Sequence, residues 1–315
     1  MKAERIANGF RWWFSRRTLV LLVFLARATV LGCAPQAAAA TEPILAPIEE
    51  EFRYNIGFLW FERVAEGRIT IRHISDRSYR ADLMAETKGF VGFLTNYQKN
   101  HYVSEMKYVP EKGRFITSRF TKVVTRGSKV VKSVTEIDYE KGEHRWVATE
   151  NNEVKDRGTR PIPEGVIYED ILSAFFNLRQ RAFGPLTHGR RLTIDALPYY
   201  QLTDEGQTDY DNNPIRQFEI RIPDAPTEQE YRRRFDRTNE KGHLVLIQVP
   251  KQDFGQKSGE IIIWFDENLI PVATRVEDVV FFGDVTGILQ QPIENSEAGV
   301  ERRMANSVLK EFSLE

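Results

Sequence analysis

Pro161-Ile-Pro-Glu-Gly-Val-Ile-Tyr-Glu-Asp-Ile-Leu-Ser-Ala-Phe-Phe-Asn-Leu-Arg-Gln-Arg-Ala-Phe183 is the one long helical pattern in a chain that otherwise reads as strands. From Val166 the residues Ile167, Ile171, Phe175, Leu178 and Ala182 recur at spacings of three and four, so they share one face of a 3.6-period helix. Leu172, Phe176 and Phe183 widen that face, and so broad an apolar surface is normally covered on more than one side. Pro161 and Pro163 hold the approach extended, and Gly184-Pro185 ends the pattern. Glu164, Glu169 and Asp170 near the start and Arg179 and Arg181 near the end suit the helix dipole. The reading is a helix near 166–183. Burying Ile171, Leu172, Phe175 and Phe176 at about 1.5–3 kcal/mol each would make it core, and Phe175→Asp is expected to prevent folding.

Working outward, strand patterns lie on both sides. Phe52, Tyr54, Ile56, Phe58 and Trp60 alternate with Arg53, Asn55, Gly57 and Leu59 in a strand whose second half is apolar on both faces, so it belongs deep in a sheet. Strands follow around Ile69–Ile71, Tyr79–Ala85, Tyr102–Met106, Phe115–Thr125, Val130–Tyr139 and His144–Thr149, separated by turns such as Glu111-Lys112-Gly113. Gly89–Tyr97 fits a bent strand or a short helix, and Asn151–Arg160 reads as a polar loop. Beyond the helix, strands are expected at Arg191–Leu197, Gln217–Ile222, Gln229–Asp236, Leu244–Val249, Glu260–Phe265, Pro271–Val276 and Val279–Leu289. Trp264 and Phe265 point to opposite faces, so that strand is covered on both sides. The fold class is mainly β: a single strongly curved antiparallel sheet or incomplete β-barrel wrapped around one central α-helix.

The chain has 315 residues and a formal charge of −1. Its first forty residues hold Lys2, Arg5, Arg11, Arg16, Arg17 and Arg27 against Glu4 alone, then an apolar stretch from Thr18 and small residues from Cys33 to Ala40. That is the plan of a secretory signal peptide over 1–40. Ser15-Arg16-Arg17 also resembles a twin-arginine signal. Val30-Leu31-Gly32-Cys33 resembles a lipobox, which makes Cys33 a lipidation candidate, whereas Ala38-Ala39-Ala40 suits ordinary signal peptidase; both readings stay open. Without the leader, 38 basic residues stand against 44 acidic ones, so no nucleic-acid partner is expected. Residues 41–49 read as a tether, 50–291 as one β domain, and 292–315 as an extension with a helical pattern from Ala298 to Phe312. Cys33 is the only cysteine, so the domain must rely on its core rather than on disulfides.

The possible sites are few. Gly184–Gly189 has the glycine spacing of a phosphate-binding loop, but Arg190-Arg191 follow where Lys and Ser or Thr are needed. Asp209, Asp211 and Asn213 resemble half of a calcium loop, with Pro214 and Ile220 where a glycine and a bidentate Glu belong. His73, His101, His144, His188 and His243 form no metal-binding spacing. Glu169-Asp170 would supply acid and base in principle, and Arg232-Arg-Arg234 is a basic patch on an expected strand. No catalytic residue or cofactor is assigned. Phe58, Trp60, Ile171, Phe175, Phe176 and Trp264 are the candidates to form an apolar core, or to line a cavity able to take an acyl chain.

Pro161-Ile-Pro-Glu-Gly, Asp170–Arg179 and Gly189-Arg-Arg-Leu192, followed by Ile263–Val272, Gly283 and Leu289, resemble the two signatures of the bacterial domain-of-unknown-function family numbered 3108. The resemblance covers roughly 50–290, and it implies an exported, β-rich envelope protein of a Gram-negative bacterium. It carries no activity and no site residues. Together these readings give a non-catalytic periplasmic envelope protein that binds a lipid, an acyl chain or an envelope protein and meets the membrane only through its leader or a lipid anchor. A structural scaffold is the alternative, and a hydrolase using scattered carboxylates or histidines is a third.

Overall fold

A computed structural model describes residues 49–58, 61–198, 216–239, 241–248, 260–279 and 283–290. Among the described residues fourteen strands form one antiparallel sheet that does not close, in the order β8-β7-β6-β5-β4-β3-β2-β1-β14-β13-β12-β11-β10-β9. Strands β1 (Glu49–Phe58), β2 (Phe61–Ser75), β3 (Ser78–Thr87), β4 (Lys99–Val109), β5 (Arg114–Arg126), β6 (Lys129–Asp138), β7 (Glu143–Glu150) and β8 (Glu153–Pro161) make one meander. A second contains β9 (Arg191–Ala196), β10 (Arg216–Arg221), β11 (His243–Gln248), β12 (Glu260–Phe265), β13 (Pro271–Val279) and β14 (Gly283–Leu289). The meanders join where β14 pairs with β1, Tyr54 opposite Leu289, so β1 is interior as its two-faced apolar pattern predicts. Register shifts interrupt pairings such as β1–β2, β4–β5, β7–β8 and β12–β13, and each such bulge bends and twists the sheet locally.

The segment that decided the sequence reading connects the two free edges, β8 and β9. Its helix, α2 (Ile171–Arg179), has nine residues, not the eighteen expected over 166–183. The shortening has a local cause. Glu169 is drawn into a parallel bridge with Ala196, its N–H donating to Asp195 O and its carbonyl accepting from Leu197 N, both at 2.8 Å. Asp170 then caps the helix in a capping box with Ser173, and Arg181 adopts φ 57° just past the end. Leu172 and Phe176 pack with Phe52, Ile71, Ala81, Met106 and Phe115 of β1–β5. Leu178 packs with Ile194, Ile220, Val245 and Phe265 of β9–β12. Both meanders therefore meet one short helix. Leu172 and Phe176 are the buried pair, whereas Ile171 is 41% exposed and Phe175 half-buried, so the expectation that all four are core is corrected.

Two further helices are described. Gly89–Leu94 forms α1, which resolves the bent-strand alternative. Gln229–Asp236, expected as a strand, lies instead on α3 (Ala225–Arg234) and its end. Asp224 accepts from Thr227 N at 3.0 Å, Pro226 sits in the first turn, and Glu228 pairs with Arg232 one turn on; these are ordinary helix-start signals. Helix α3 covers the outer face of β11–β13, where Tyr231 and Phe235 pack on Leu244, Leu246, Ile262, Trp264 and Ala273. Trp264 lies beneath α3 and Phe265 faces α2, so β12 is covered on both sides as expected.

Strand β8 replaces the polar loop expected at Asn151–Arg160. Its inward residues are polar because they hold Trp146: Asp156 accepts from the indole N–H at 2.8 Å, and the Arg160 guanidinium stands 5.8 Å from the ring. Gly158 lies so close beneath that ring that an added Cβ would approach it to 2.3 Å. Glu153, Lys155 and Arg157 are exposed and charged, which suits an edge strand.

Candidate functional site

Helix α2 is fastened at both ends by buried polar groups. Asp170 Oδ1 accepts from Leu172 N (2.7 Å) and Ser173 N (3.1 Å), and Oδ2 accepts from the hydroxyls of Ser104 and Thr117, both at 2.6 Å. Its carboxyl is pushed up by burial, against those four hydrogen bonds. Asn177 pairs with the Phe115 backbone: it accepts from Phe115 N at 2.7 Å and donates to Phe115 O at 2.9 Å. Strand β6 pairs with β5 only from Arg119 onward, so the amide takes the place of a neighbouring strand at Phe115. The same Nδ2 donates to Glu169 at 2.9 and 3.0 Å, and Arg114 donates to Glu169 as well. Burial pushes Glu169 up to about 7, with Arg114 opposing. At the far end Arg179 pairs with Glu50 of β1 and donates Nε–H to Leu269 O at 2.8 Å.

Held in this way, the helix presents Ile171, Ala174, Phe175 and Leu178, at spacings of i, i+3, i+4 and i+7, to a cavity of about 440 Å3. The walls come from the inward positions of most strands, among them Ile56, Leu83, Tyr102, Ile220, Ile247 and Ile263. Gly67 and Gly287, on the two neighbours of β1, also line it, and each lets a side chain pack close: an added Cβ would meet Ile56 Cδ1 at 3.3 Å and Thr274 Cγ2 at 2.8 Å respectively. The 41% exposure of Ile171 is thus exposure of an apolar group on the cavity floor. Polar side chains at the cavity are Tyr54, Arg68, Lys122, Tyr102, Glu169, Asp170 and Thr274. The two carboxylates are occupied by the structural donors above, so their geometry is that of anchors.

Of the six apolar candidates from the sequence, Ile171 and Phe175 line the cavity, Phe176 lies in the core beside it, and Trp264 is on the opposite face of the sheet. Phe58 ends β1 with its ring 6.1 Å from Phe61, and Trp60 lies outside the described residues. Cys33, the calcium candidates Asp209, Asp211 and Asn213, and the helical pattern at 298–312 also lie outside them. His101 meets Asp82 at 2.8 Å on the outer face, His73 the Asp76 carbonyl, and His188 the Pro223 carbonyl, while His243, its pKa lowered chiefly by burial, lies near enough to His188 and Glu228 to feel their charges. His144 is buried on the inner face of β7, its pKa lowered by burial and by Arg160. Among the described residues no group of three or more His, Cys, Asp or Glu is placed to hold a metal ion, and no helix is long and apolar enough to cross a membrane. Arg232 and Arg234 of the basic patch form ion pairs with Glu228 and Glu277. Gly184–Gly189 is a loop closed on Arg190, which donates to the carbonyls of Phe183 and Pro185.

The sequence reading missed Ala174, Asn177 and Lys122. Ala174 completes the stripe of Ile171, Phe175 and Leu178, so its spacing was a usable signal. Lys122 stands in phase with Phe120 and Val124, an apolar alternation broken by one cation. Asn177 gave no signal, because its partner is a backbone position sixty-two residues away.

No protein-family model matches the chain, and no curated protein matches it. Solved structures similar to the chain include the following two. One is a β-barrel-like protein of domain of unknown function DUF1849 from Brucella abortus, with a TM-score of 0.41 and 10% identity over 78% of this chain and 96% of that one. The other is a DUF1089 family protein from Pseudomonas aeruginosa, with a TM-score of 0.32 and 13% identity over 66% and 87%.

Proposed function

We propose that this chain is a non-catalytic, exported envelope protein that binds one apolar ligand, an acyl chain, between α2 and a sheet curled around it. The observation that carries the reading is the cavity of about 440 Å3 floored by Ile171, Ala174, Phe175 and Leu178. Its volume lies within the roughly 300–1,000 Å3 of ligand pockets. The lining is almost wholly apolar, which suits the hydrocarbon tail of such a ligand. The leader-like first forty residues and the resemblance to the family numbered 3108 belong to the same reading, with Cys33 as the lipid anchor if the lipobox is used.

The test fills the cavity from its floor. Delipidated protein should bind a fluorescent fatty acid in one-to-one stoichiometry, and Ala174→Phe should weaken binding at least about tenfold while leaving the melting temperature at or above the wild-type value. Wild-type protein that takes up no probe, or an Ala174→Phe variant that binds as the wild type does, refutes the reading.

A further inference from the structure

We infer that the folded domain docks on a lipid bilayer with the end of the sheet that carries α1, through the exposed rings of Phe93, Tyr97 and Phe61. The choice of occupant rests on the binding reading above, and it adds a membrane contact to the leader and lipid anchor that the sequence suggested. Placement comes first. The exposed aromatic side chains among the described residues are Phe61 at 45%, Phe93 at 69% and Tyr97 at 53%, and all three lie at one end. Phe61 starts β2 opposite Phe58. Helix α1 and the turn after it join β3 to β4, with Lys88 N donating to Val64 O at 2.7 Å. Helix α2 packs toward the other end, on Ala81, Met106 and Phe115.

The rings are held out on a fixed platform. Val91 of α1 is buried, while Phe93, two residues on, is turned outward. Thr95 Oγ1 closes the helix by donating to Val91 O at 2.8 Å. Asn96 and Tyr97 then adopt φ 55° and 49°, left-handed backbone that a bulky ring rarely takes. Two contacts keep them there. Gly127 N donates to Asn96 O at 2.9 Å, and Tyr97 lies so close over Gly92 that an added Cβ would meet its ring at 2.8 Å. The exposure of Phe93 and Tyr97 therefore belongs to the fold and not to a frayed loop.

The cavity leads toward these rings. Gly67 and Ala85, partners in register, are its last wall residues on β2 and β3. The next pair of the same phase, Ala65 and Thr87, stands about 7 Å further along at about 3.3 Å per residue, where α1 begins. Since α2 floors the other end, an acyl chain enters past α1. Such chains reside in bilayers, and Phe and Tyr rings suit the boundary between lipid and water. Lys88, Lys99 and Lys129 at this end pair with Glu66, Glu86 and Glu150, so burial of the rings, more than charge, holds the contact.

The experiment mixes the full chain with vesicles of phosphatidylethanolamine and phosphatidylglycerol and follows amide hydrogen exchange peptide by peptide, so that binding by the first forty residues is read apart from binding by α1. Exchange within 89–97 is expected to slow about tenfold or more with vesicles, with no change in the turn at 110–113 at the other end of the same strands. Phe93→Ser removes an exposed ring and should leave the melting temperature unchanged; it is expected to lose the protection, and Phe93→Trp to keep it. Exchange within 89–97 that vesicles leave unchanged, that slows equally at 110–113, or that slows as much in Phe93→Ser overturns the inference. Slowing that appears without vesicles as protein concentration rises assigns the surface to a second copy of the chain and overturns the bilayer. The fatty-acid titration above is scored separately: probe uptake without vesicle protection refutes the docking alone, and protection without probe uptake refutes the cavity reading alone.

Discussion

Replacing Asn177 by Leu tests what holds α2 across the sheet. The side chain is fully buried and satisfies three groups at once: the Phe115 N–H, the Phe115 carbonyl and the Glu169 carboxylate. Leu has similar bulk but no polar atom, so all three lose that partner inside the protein. Each orphaned group costs about 1–3 kcal/mol, and the extra apolar burial recovers part of it, which leaves an expected loss of about 3–6 kcal/mol. That is a large share of the roughly 5–15 kcal/mol by which a domain is stable. In urea unfolding at pH 7, with a slope near 3 kcal/mol/M, the midpoint should fall by about 1–2 M with the slope unchanged. A loss below about 1 kcal/mol, on the order of a single ordinary hydrogen bond, would show that Asn177 is not the anchor and that packing alone seats the helix.

Glu169 gives a pH prediction. Its folded pKa, raised to about 7 from an ordinary 4.5, means that its contribution is fully present below about pH 4.5 and is lost as pH rises through 7. At 1.36 kcal/mol per pKa unit the loss between pH 5 and 8 is about 3 kcal/mol, so wild type should lose stability over that range relative to Glu169→Gln; parallel pH profiles for the two proteins refute this. For the helix faces, Phe176→Ala should cost about 3–5 kcal/mol, because the ring is 1% exposed. Phe175→Ala, on the cavity side, should cost less than half as much, and equal shifts in melting temperature would show that both faces are core.

The sequence legibly carried what depends on short-range pattern. Alternation marked most strands, because a half-buried pleat demands period two, and the apolar stripe marked α2, because its burial demands period 3.6. Where a partner overrode local pattern, the reading erred. The expected helix start near Val166 yielded to the bridge of Glu169 with β9, and β8 looked like a loop because its inward positions serve Trp146 rather than an apolar core. The α3 segment alternates as a strand would, and its helix is set by the Asp224 cap and the Glu228–Arg232 pair together with the packing of Tyr231 and Phe235 on the sheet.

What the chain determines by itself is thus a β-rich domain with a greasy helix near its middle, since periodicity and turn chemistry are properties of neighbours in sequence. Only the tertiary structure decided that one face of that helix is sealed into the core and the other left over a cavity. That outcome depends on Asp170, Asn177 and Arg179 meeting residues on β4, β5 and β1, and such pairings across long sequence separations leave no periodic trace.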